Sequence, residues 1–559
     1  MTRTFSAAFS ALLISATALP AAITATGAKA AAVTVHPLAT EAALDVMRRG
    51  VNAVDAAIAA GLMLSVLDGH NSGAGGGCFM LVRAPDGTII ALDGREMAPA
   101  AATRDMFVRN GKAEPALSQT GALAAGVPGS LAVYDTAAKK FGRLPLADAL
   151  RTAADQAANG FAISGSYAAR LKAAAADLAR FPASRAIFLA PDGGPMATGT
   201  VLKQHDLAAS YRAMAEKGIA WFYGGPFAEV ADAWMKANGG ILTADDFRDY
   251  HIAVREPLRT KFRSHEIIGF PPPSSGGVHV AEILNIIGTR EAAIRLNSAD
   301  DIHFTAEAMK LAFADRAHWL GDPDFVKVPR GLISPDYARA LAAKIDPDNV
   351  TSVEQHGTPE HATDDVFGKH TTHFSTADAE GWWVACTATV NTTFGSKVVI
   401  PGTGIVLNNQ MDDFSIQPGV RNAFGLVGAE ANAVSPRKRP LSSMAPTFVL
   451  RDGQPILSLG AAGGPTIIPQ VALAIVRSLD GGLTLDKALA APRFHHQWSP
   501  DELRIESTAG KAVLADLRRR GHKLDSVLSF GACNGIMRLP DGRLMAAGDP
   551  RVPGSAEAF

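Results

Sequence analysis

Hydrophobic and polar positions alternate over residues 371–390, and this pattern predicts a β-hairpin. Two extended runs flank the short polar stretch 378–381, which contains a glycine and is typical of a turn. Elsewhere the apolar periodicity is helical, and it predicts helices over residues 36–46, 52–67, 126–189 and 206–238.

The hairpin sets threonine hydroxyls side by side. With residues 378–381 as the loop, position 377 faces position 382. Thr371 then faces Ala388, and Thr389 is its diagonal neighbour, close enough for side-chain contact. Threonine is also simply common in strands, so this stretch alone does not identify a nucleophile.

Composition indicates a globular α/β protein without a bias toward polyanions. The 559 residues contain 53 Lys and Arg against 54 Asp and Glu, so general attraction to nucleic acid or anionic membranes is not expected. The 47% hydrophobic content, with 53 Gly and 33 Pro, suits a chain with a large core and many turns.

The first thirty residues differ from the rest. A single early charge, Arg3, precedes an apolar run from about 7 to 23, and Ala28-Lys29-Ala30 supplies small residues for cleavage. We interpret residues 1–30 as a signal peptide and expect a periplasmic or secreted protein. A membrane anchor is the alternative, but the run is short and alanine-rich for a span of about 20 residues.

Cysteines and glycines indicate packing rather than cofactor chemistry. Cys78, Cys386 and Cys533 lie far apart and form no CxxC pair, so we expect buried apolar side chains. The glycine cluster 73–77 lacks the last glycine of a dinucleotide fingerprint and the lysine of a P-loop. We therefore expect a tight backbone approach there, and no metal or cofactor.

Several motifs occur in a fixed order after the hairpin, and earlier segments accompany them. Together they closely resemble the γ-glutamyltranspeptidase family, over essentially the whole chain from His36 onward. The motifs are Asn391-Thr392-Thr393-Phe394-Gly395, Asn408-Asn409-Gln410-Met411-Asp412-Asp413-Phe414, Pro440-Leu441-Ser442-Ser443-Met444 and Gly463-Gly464.

The resemblance implies a precursor that cuts itself between His370 and Thr371. Residues 31–370 would form a large subunit and residues 371–559 a small catalytic subunit, intertwined in one domain. The implied fold is α/β, the αββα sandwich of N-terminal nucleophile hydrolases, with two stacked, mainly antiparallel sheets between helical layers.

The resemblance also assigns the reacting groups. Thr371 would be the nucleophile, with its freed α-amine as base, because the reference pKa of that amine, roughly 7.7–8.0, lies near working pH. Thr389 would hydrogen-bond Thr371, and the backbone N–H groups of Gly463 and Gly464 would hold the oxyanion. Phe424 is a departure, since the family often has Tyr at the corresponding place in its lid loop.

The substrate's amino-acid head is assigned in the same way. One group would bind the α-carboxylate, where the planar fork of an arginine suits two charge-assisted hydrogen bonds. A second group would bind the α-ammonium. The first group is Arg95, Ser442 and Ser443, and the second is Asn391, Gln410 and Asp413.

The implied activity is that of a γ-glutamyltransferase and glutathione hydrolase. The γ-glutamyl group would pass through a threonine ester to water, an amino acid or a peptide. An acylase of the same fold acting on a glutaryl amide is the alternative, and Asp413 argues against it because such a substrate lacks an ammonium. The S-x-x-K pattern 435–438 suggests a serine β-lactamase, but its companion motifs are missing.

We predict that Thr371→Ala abolishes self-cleavage, because the variant lacks the hydroxyl that attacks the His370 carbonyl. Intact-mass spectrometry should give a single uncut chain for the variant and two pieces, from about 31 to 370 and 371 to 559, for the wild type. Normal cutting of the variant would contradict the assignment of Thr371.

Overall fold

Two seven-stranded antiparallel sheets form the centre of the protein. The computed structural model describes residues 21–291, 295–359 and 372–559. Sheet I contains, in spatial order, Ile23–Gly27, Leu544–Gly548, Ala532–Arg538, Gln454–Ala462, Thr447–Arg451, His265–Gly269 and Leu258–Phe262. Sheet II contains Ser555–Ala558, Ala30–Thr34, His373–Asp378, Trp383–Thr389, Gly77–Arg83, Ile89–Gly94 and Ala253–Arg255.

Three smaller sheets lie outside this centre. Their strands are Phe494–His496, Leu503–Glu506 and Leu524–Val527 in the first, Val108–Arg109 and Lys112–Ala113 in the second, and Phe161–Ala162 and Val201–Leu202 in the third.

The helices fall into an N-terminal and a C-terminal group. The first group is Pro37–Arg48, Ala53–Leu67, Ala116–Gln119, Ser130–Phe141, Leu146–Asn159, Gly165–Leu178, Pro182–Phe188, His205–Lys217, Ala220–Tyr223, Pro226–Ala237 and Ala244–Arg248. The second is Ser275–Gly288, Ala299–Trp319, Pro335–Ala342, Ile467–Leu479, Leu485–Ala490 and Lys511–Arg519. No helix of the described ranges is long and apolar enough to cross a membrane.

Side chains alternate between the two faces of each sheet, and this alternation creates three hydrophobic layers. Phe79 and Trp383 of sheet II face sheet I, whereas Met80 and Val384 face the N-terminal helices. Ile267 of sheet I packs against the C-terminal helices. The order helix, sheet, sheet, helix confirms the expected αββα sandwich.

The predicted hairpin exists, but its predicted register is wrong by one residue. Ala377 pairs with Trp383, not with position 382. The carboxylate of Asp378 accepts the N–H groups of Gly381 at 3.0 Å and Trp382 at 3.1 Å, which draws Trp382 into the loop. Thr372 and Ala388 pair through backbone hydrogen bonds in both directions. Thr371 itself lies outside the described residues.

Local predictions at the glycine cluster and the cysteines are confirmed. A Cβ atom added to Gly75 or Gly76 would overlap the carbonyls of Val406 or Thr389, so these glycines permit a tight backbone approach. All three cysteines are buried and unpaired.

The predicted signal peptide overlaps a strand of sheet I. Residues 1–20 lie outside the described residues. Ile23–Gly27 pairs with Leu544–Gly548 at the sheet edge, and Ala30–Thr34 pairs with His373–Asp378. The cleavage site after Ala30 stays a prediction.

A polar seam joins the two sheets beside the hairpin. The buried ring of His373 contacts the hydroxyls of Thr387 and Ser375 at 3.0 Å each, and Ser375 contacts Ser458 of sheet I at 2.8 Å. Burial lowers the pKa of His373 to about 3, so its ring is neutral. Gly460 leaves the space that this ring occupies.

We predict that Gly460→Ala destabilises the protein, because the new methyl group would overlap the His373 ring. Overpacking of this kind typically costs about 1–3 kcal/mol. Gly548→Ala in the same sheet is the control, since its nearest neighbour lies 3.8 Å from the added Cβ. Urea denaturation should separate the two variants, and equal stability would contradict the close approach of the sheets at Gly460.

Candidate active site

Three of the predicted site residues form a buried cluster around one ion pair. Arg95, which follows the strand Ile89–Gly94, donates from Nη2 to Asp413 Oδ2 at 2.6 Å. Gln410 Nε2 donates to the same oxygen at 2.9 Å from a short 3-10 turn, Gln410–Asp413. All three side chains are buried. We call this cluster the head-group pocket.

The guanidinium of Arg95 also holds the backbone next to the two predicted serines. Its Nε donates to the Pro440 carbonyl at 3.1 Å, and Nη2 donates to the Leu441 carbonyl at 3.3 Å. The hydroxyls of Ser442 and Ser443 follow directly. Both are buried, and neither has a hydrogen-bond partner among the described residues. They are therefore available to bind a polar ligand.

Asn391 and Thr389 lie at the end of the strand Trp383–Thr389. Thr389 Oγ1 accepts the N–H of Asn391 at 2.7 Å, and Asn391 adopts a left-handed φ of 80°. Nδ2 of Asn391 donates to the Asn409 carbonyl at 2.9 Å, next to Gln410. Within the described part of the chain, Oδ1 of Asn391 is buried without a partner.

The glycine pair ends the strand Gln454–Ala462 in a backbone form that favours glycine. Gly463 and Gly464 have φ values of 129° and 59°. A Cβ on Gly464 would lie 2.8 Å from the ring of Phe424, so that ring covers the turn. The Phe424 N–H donates to Asn422 Oδ1 at 3.0 Å, and Asn422 Nδ2 lies 3.4 Å from Asp413. The covering segment therefore connects the glycine turn to the head-group pocket.

Thr372 directly precedes the strand His373–Asp378 and is held by a buried carboxyl. Its hydroxyl donates to Asp68 Oδ2 at 3.3 Å, and Asn71 Nδ2 donates to the other carboxylate oxygen at 3.0 Å. Asp68 follows the helix Ala53–Leu67 and is buried. Burial raises its pKa to about 7, although both hydrogen bonds oppose this shift.

Sequence reasoning missed two buried carboxyls near these residues. Asp68 follows a helix that has no catalytic pattern. Glu96 is adjacent to Arg95, and its Oε2 lies 3.4 Å from Arg95 Nη1. Burial raises the pKa of Glu96 to about 7, and Arg95 acts in the opposite direction. The position of Glu96 next to Arg95 in the sequence was the signal that could have identified it.

The family model described as gamma-glutamyltranspeptidase matches residues 39–559. This chain belongs to the γ-glutamyltranspeptidase family. It is 43% identical over 521 residues to the "Glutathione hydrolase proenzyme" of Escherichia coli (strain K12), covering 92% of this chain and 89% of that one.

Acylases are also similar to this chain. The "Acylase ACY 1 proenzyme" of Pseudomonas sp. (strain V22) is 37% identical over 546 residues, with 96% of this chain and 94% of that one covered. A crystal structure of cephalosporin acylase from Bacillus halodurans superposes with a TM-score of 0.86 at 30% identity, covering 96% and 97%. The fold is therefore that of the N-terminal nucleophile hydrolases, and family membership leaves the acyl group open.

A separate cluster has the composition of a metal site. Atoms of His303, Glu307 and His522 lie within 4.8 Å of one another. His303 Nδ1 lies 2.8 Å from His522 Nε2, and the ammonium of Lys310 lies 2.8 Å from Glu307. His303 Nε2 also lies 2.7 Å from the Asp346 carbonyl, so both ring nitrogens of His303 have partners. These contacts and the Lys310–Glu307 pair account for the arrangement without a bound ion.

Lys438, the lysine of the S-x-x-K pattern, lies in a structural position. Its ammonium donates to the carbonyls of Ala431 at 2.8 Å and Ala433 at 3.1 Å. Burial lowers its pKa to about 8. These bonds close the loop that precedes the Ser442 segment.

We predict that the free energy of unfolding of the wild type falls, relative to that of Asp68→Asn, as pH rises from about 4 to 7. Folded Asp68 has a pKa of about 7. The unfolded carboxyl has a pKa of about 3.9, so over this range the folded state binds more protons. The steepest slope is about 1.4 kcal/mol per pH unit.

Urea midpoints measured across this range test the prediction. Asp45→Asn is the control, because the Asp45 side chain is 61% exposed. Parallel stability curves for wild type and Asp68→Asn would contradict the raised pKa of Asp68.

Proposed function

We propose that this protein is a γ-glutamyltransferase and glutathione hydrolase, activated by self-cleavage before Thr371 and working in the periplasm or outside the cell. The observation that supports a glutamyl substrate most directly is the buried Arg95–Asp413 pair, 2.6 Å apart. A site with one cation and one anion is complementary to the zwitterionic head of an amino acid.

The proposed chemistry is acyl transfer through an ester. The Thr371 hydroxyl oxygen attacks the γ-carbonyl carbon while the α-amine takes the hydroxyl proton. The C–N bond then breaks, and the proton passes to the leaving amine. Water or an acceptor amine then attacks the ester carbonyl carbon and gives a proton to the α-amine. The bond from this carbon to the Thr371 oxygen breaks, that oxygen takes the proton back, and the glutamyl group leaves on the acceptor. The turn at Gly463 and Gly464 would supply N–H donors to the oxyanion, each such donor typically worth about 2.7–4 kcal/mol of barrier.

Competition for Arg95 distinguishes glutamyl from glutaryl substrates. The structure pairs Asp413 with Arg95, so a carboxylate that binds Arg95 competes with Asp413 for its positive charge. An amino-acid head brings an ammonium that compensates Asp413, whereas a glutaryl group brings none. The acylase relatives support an acylase as the second candidate, for which we take a glutaryl amide as the substrate. The charge balance supports the glutamyl amide.

We predict that Asp413→Asn lowers kcat/KM for a γ-glutamyl anilide by roughly 10- to 150-fold, because one charge-assisted hydrogen bond contributes about 1.5–3 kcal/mol. Glutaryl anilide turnover should fall far less, since that substrate has no ammonium. Self-cleavage should continue, because it involves no glutamate, and its two pieces provide the control for folding. Equal losses with both substrates would assign Asp413 to structure and remove the case for a glutamyl group.

A further inference from the structure

A second buried arginine near the head-group pocket has no role in the proposed function. Arg316, on the helix Ala299–Trp319, is 1% exposed. Its Nε donates to Ser275 Oγ at 3.3 Å, and its Nη2 has no hydrogen-bond partner among the described residues. A buried guanidinium that keeps an unused donor is costly, so it is expected to have a function.

Arg316 and Asp413 line the same small cavity, whose volume is about 10 Å³. The buried hydroxyl of Ser415 also lines it and has no partner in the described part of the chain. Burial lowers the pKa of Arg316 to about 9, and the charge of Asp413 is the influence that opposes this lowering. Asp413 therefore has two cations in its surroundings, Arg95 in direct contact and Arg316 across the cavity.

Arg316 is also linked to the predicted carboxylate-binding serines. Ser275, which receives the bond from Arg316 Nε, donates its hydroxyl to the Ser442 carbonyl at 2.6 Å. The Ser275 N–H donates to the same carbonyl at 3.0 Å. Arg316 is thus linked to Asp413 by charge across the cavity and, through Ser275, to the backbone carbonyl of Ser442.

We propose that Arg316 is a positioning residue of the head-group pocket: a second cation that supports the negative charge of Asp413 while Asp413 exchanges Arg95 for the substrate's ammonium. This inference rests on the proposed function. Four of the five N–H groups of Arg95 already bind the Pro440 and Leu441 carbonyls, Asp413 and Glu96. One is left among the described residues, so Arg95 cannot keep all these partners and also bind an α-carboxylate through two hydrogen bonds. Arg316 has unused donor capacity and lies outside the direct pair.

Other charged groups around Asp413 strengthen the need for this cation. Asp412 and Glu96 both interact electrostatically with Asp413. Burial raises the pKa of Asp412 to about 6, so near neutral pH it adds negative charge. His279 is another titratable group close to Arg316 that could carry a positive charge. Burial lowers the pKa of His279 well below its usual range, and the charge of Arg316 lowers it further. His279 is therefore neutral and does not replace Arg316.

A double-mutant cycle between Arg316→Met and Asp413→Asn tests the inference. The readouts are KM and kcat for a γ-glutamyl anilide and the Kd of L-glutamate by calorimetry, all with the cleaved enzyme. Arg316→Met alone should raise KM by about tenfold and change kcat less. When Arg316→Met is combined with Asp413→Asn, KM and Kd should rise little beyond their values in Asp413→Asn alone. The effects of two residues that act together are not additive. Arg316→Lys should recover most of the loss by restoring the charge.

Arg477→Met is the matched control. Arg477 is also buried, with a pKa lowered to about 9 by burial, but its Nη2 donates to Asn297 at 2.9 Å, outside the head-group pocket. This variant should lower thermal stability and leave KM and Kd within about twofold, as expected for a distant, independent site.

Two outcomes would overturn the inference. In the first, the KM of the double variant rises by the product of the two single-variant factors. In the second, Arg477→Met changes KM and Kd as much as Arg316→Met does. Failure of the proposed function is recognised separately, because wild-type enzyme would then not turn over the γ-glutamyl anilide. If there is no turnover, the double-mutant cycle is measured through the Kd of L-glutamate instead. A wild-type protein that does not bind L-glutamate would also overturn the inference.

Discussion

The candidate site depends on a buried ion pair between Arg95 and Asp413. Removing two charges from water is costly, and attraction alone repays this only when the remaining donors and acceptors are satisfied. Here Gln410 donates to Asp413, and the carbonyls of Pro440 and Leu441 accept from Arg95. The pair therefore fixes the backbone beside Ser442 as well as its own charges, and the arrangement of the pocket follows from it.

This pair crosses the predicted cut, and the sheets explain why separation of the pieces is not expected. In sheet II, two strands of the predicted small subunit, His373–Asp378 and Trp383–Thr389, lie between Ala30–Thr34 and Gly77–Arg83 of the predicted large one. Sheet I likewise joins His265–Gly269 to Thr447–Arg451. Cleavage of one peptide bond leaves these strand pairings and the hydrophobic layers between them intact.

Local patterns predicted the hairpin and the N-terminal helical stretches, whereas long-range packing determined their geometry. Apolar alternation was sufficient for the hairpin strands, but the register depended on hydrogen bonds from the Asp378 carboxylate within the loop. Family resemblance named Arg95 and Asp413 separately. Their direct contact joins residues 318 positions apart, and no local periodicity carries that information. Arg316 was missed for the same reason, since on its helix it is one of several buried polar side chains.

The charge arrangement also gives a physical account of how one fold can serve different acyl groups. An acyl amide needs the nucleophile and the oxyanion donors whatever its distal end carries. In the proposed function, the distal end is recognised by the balance of buried charge around Asp413. In this chain that balance includes two arginines and the carboxyls Glu96 and Asp412. A small change in these buried charges alters which substrate head group has the charge that neutralises Asp413. Fold and reaction class can therefore stay constant while substrate preference changes.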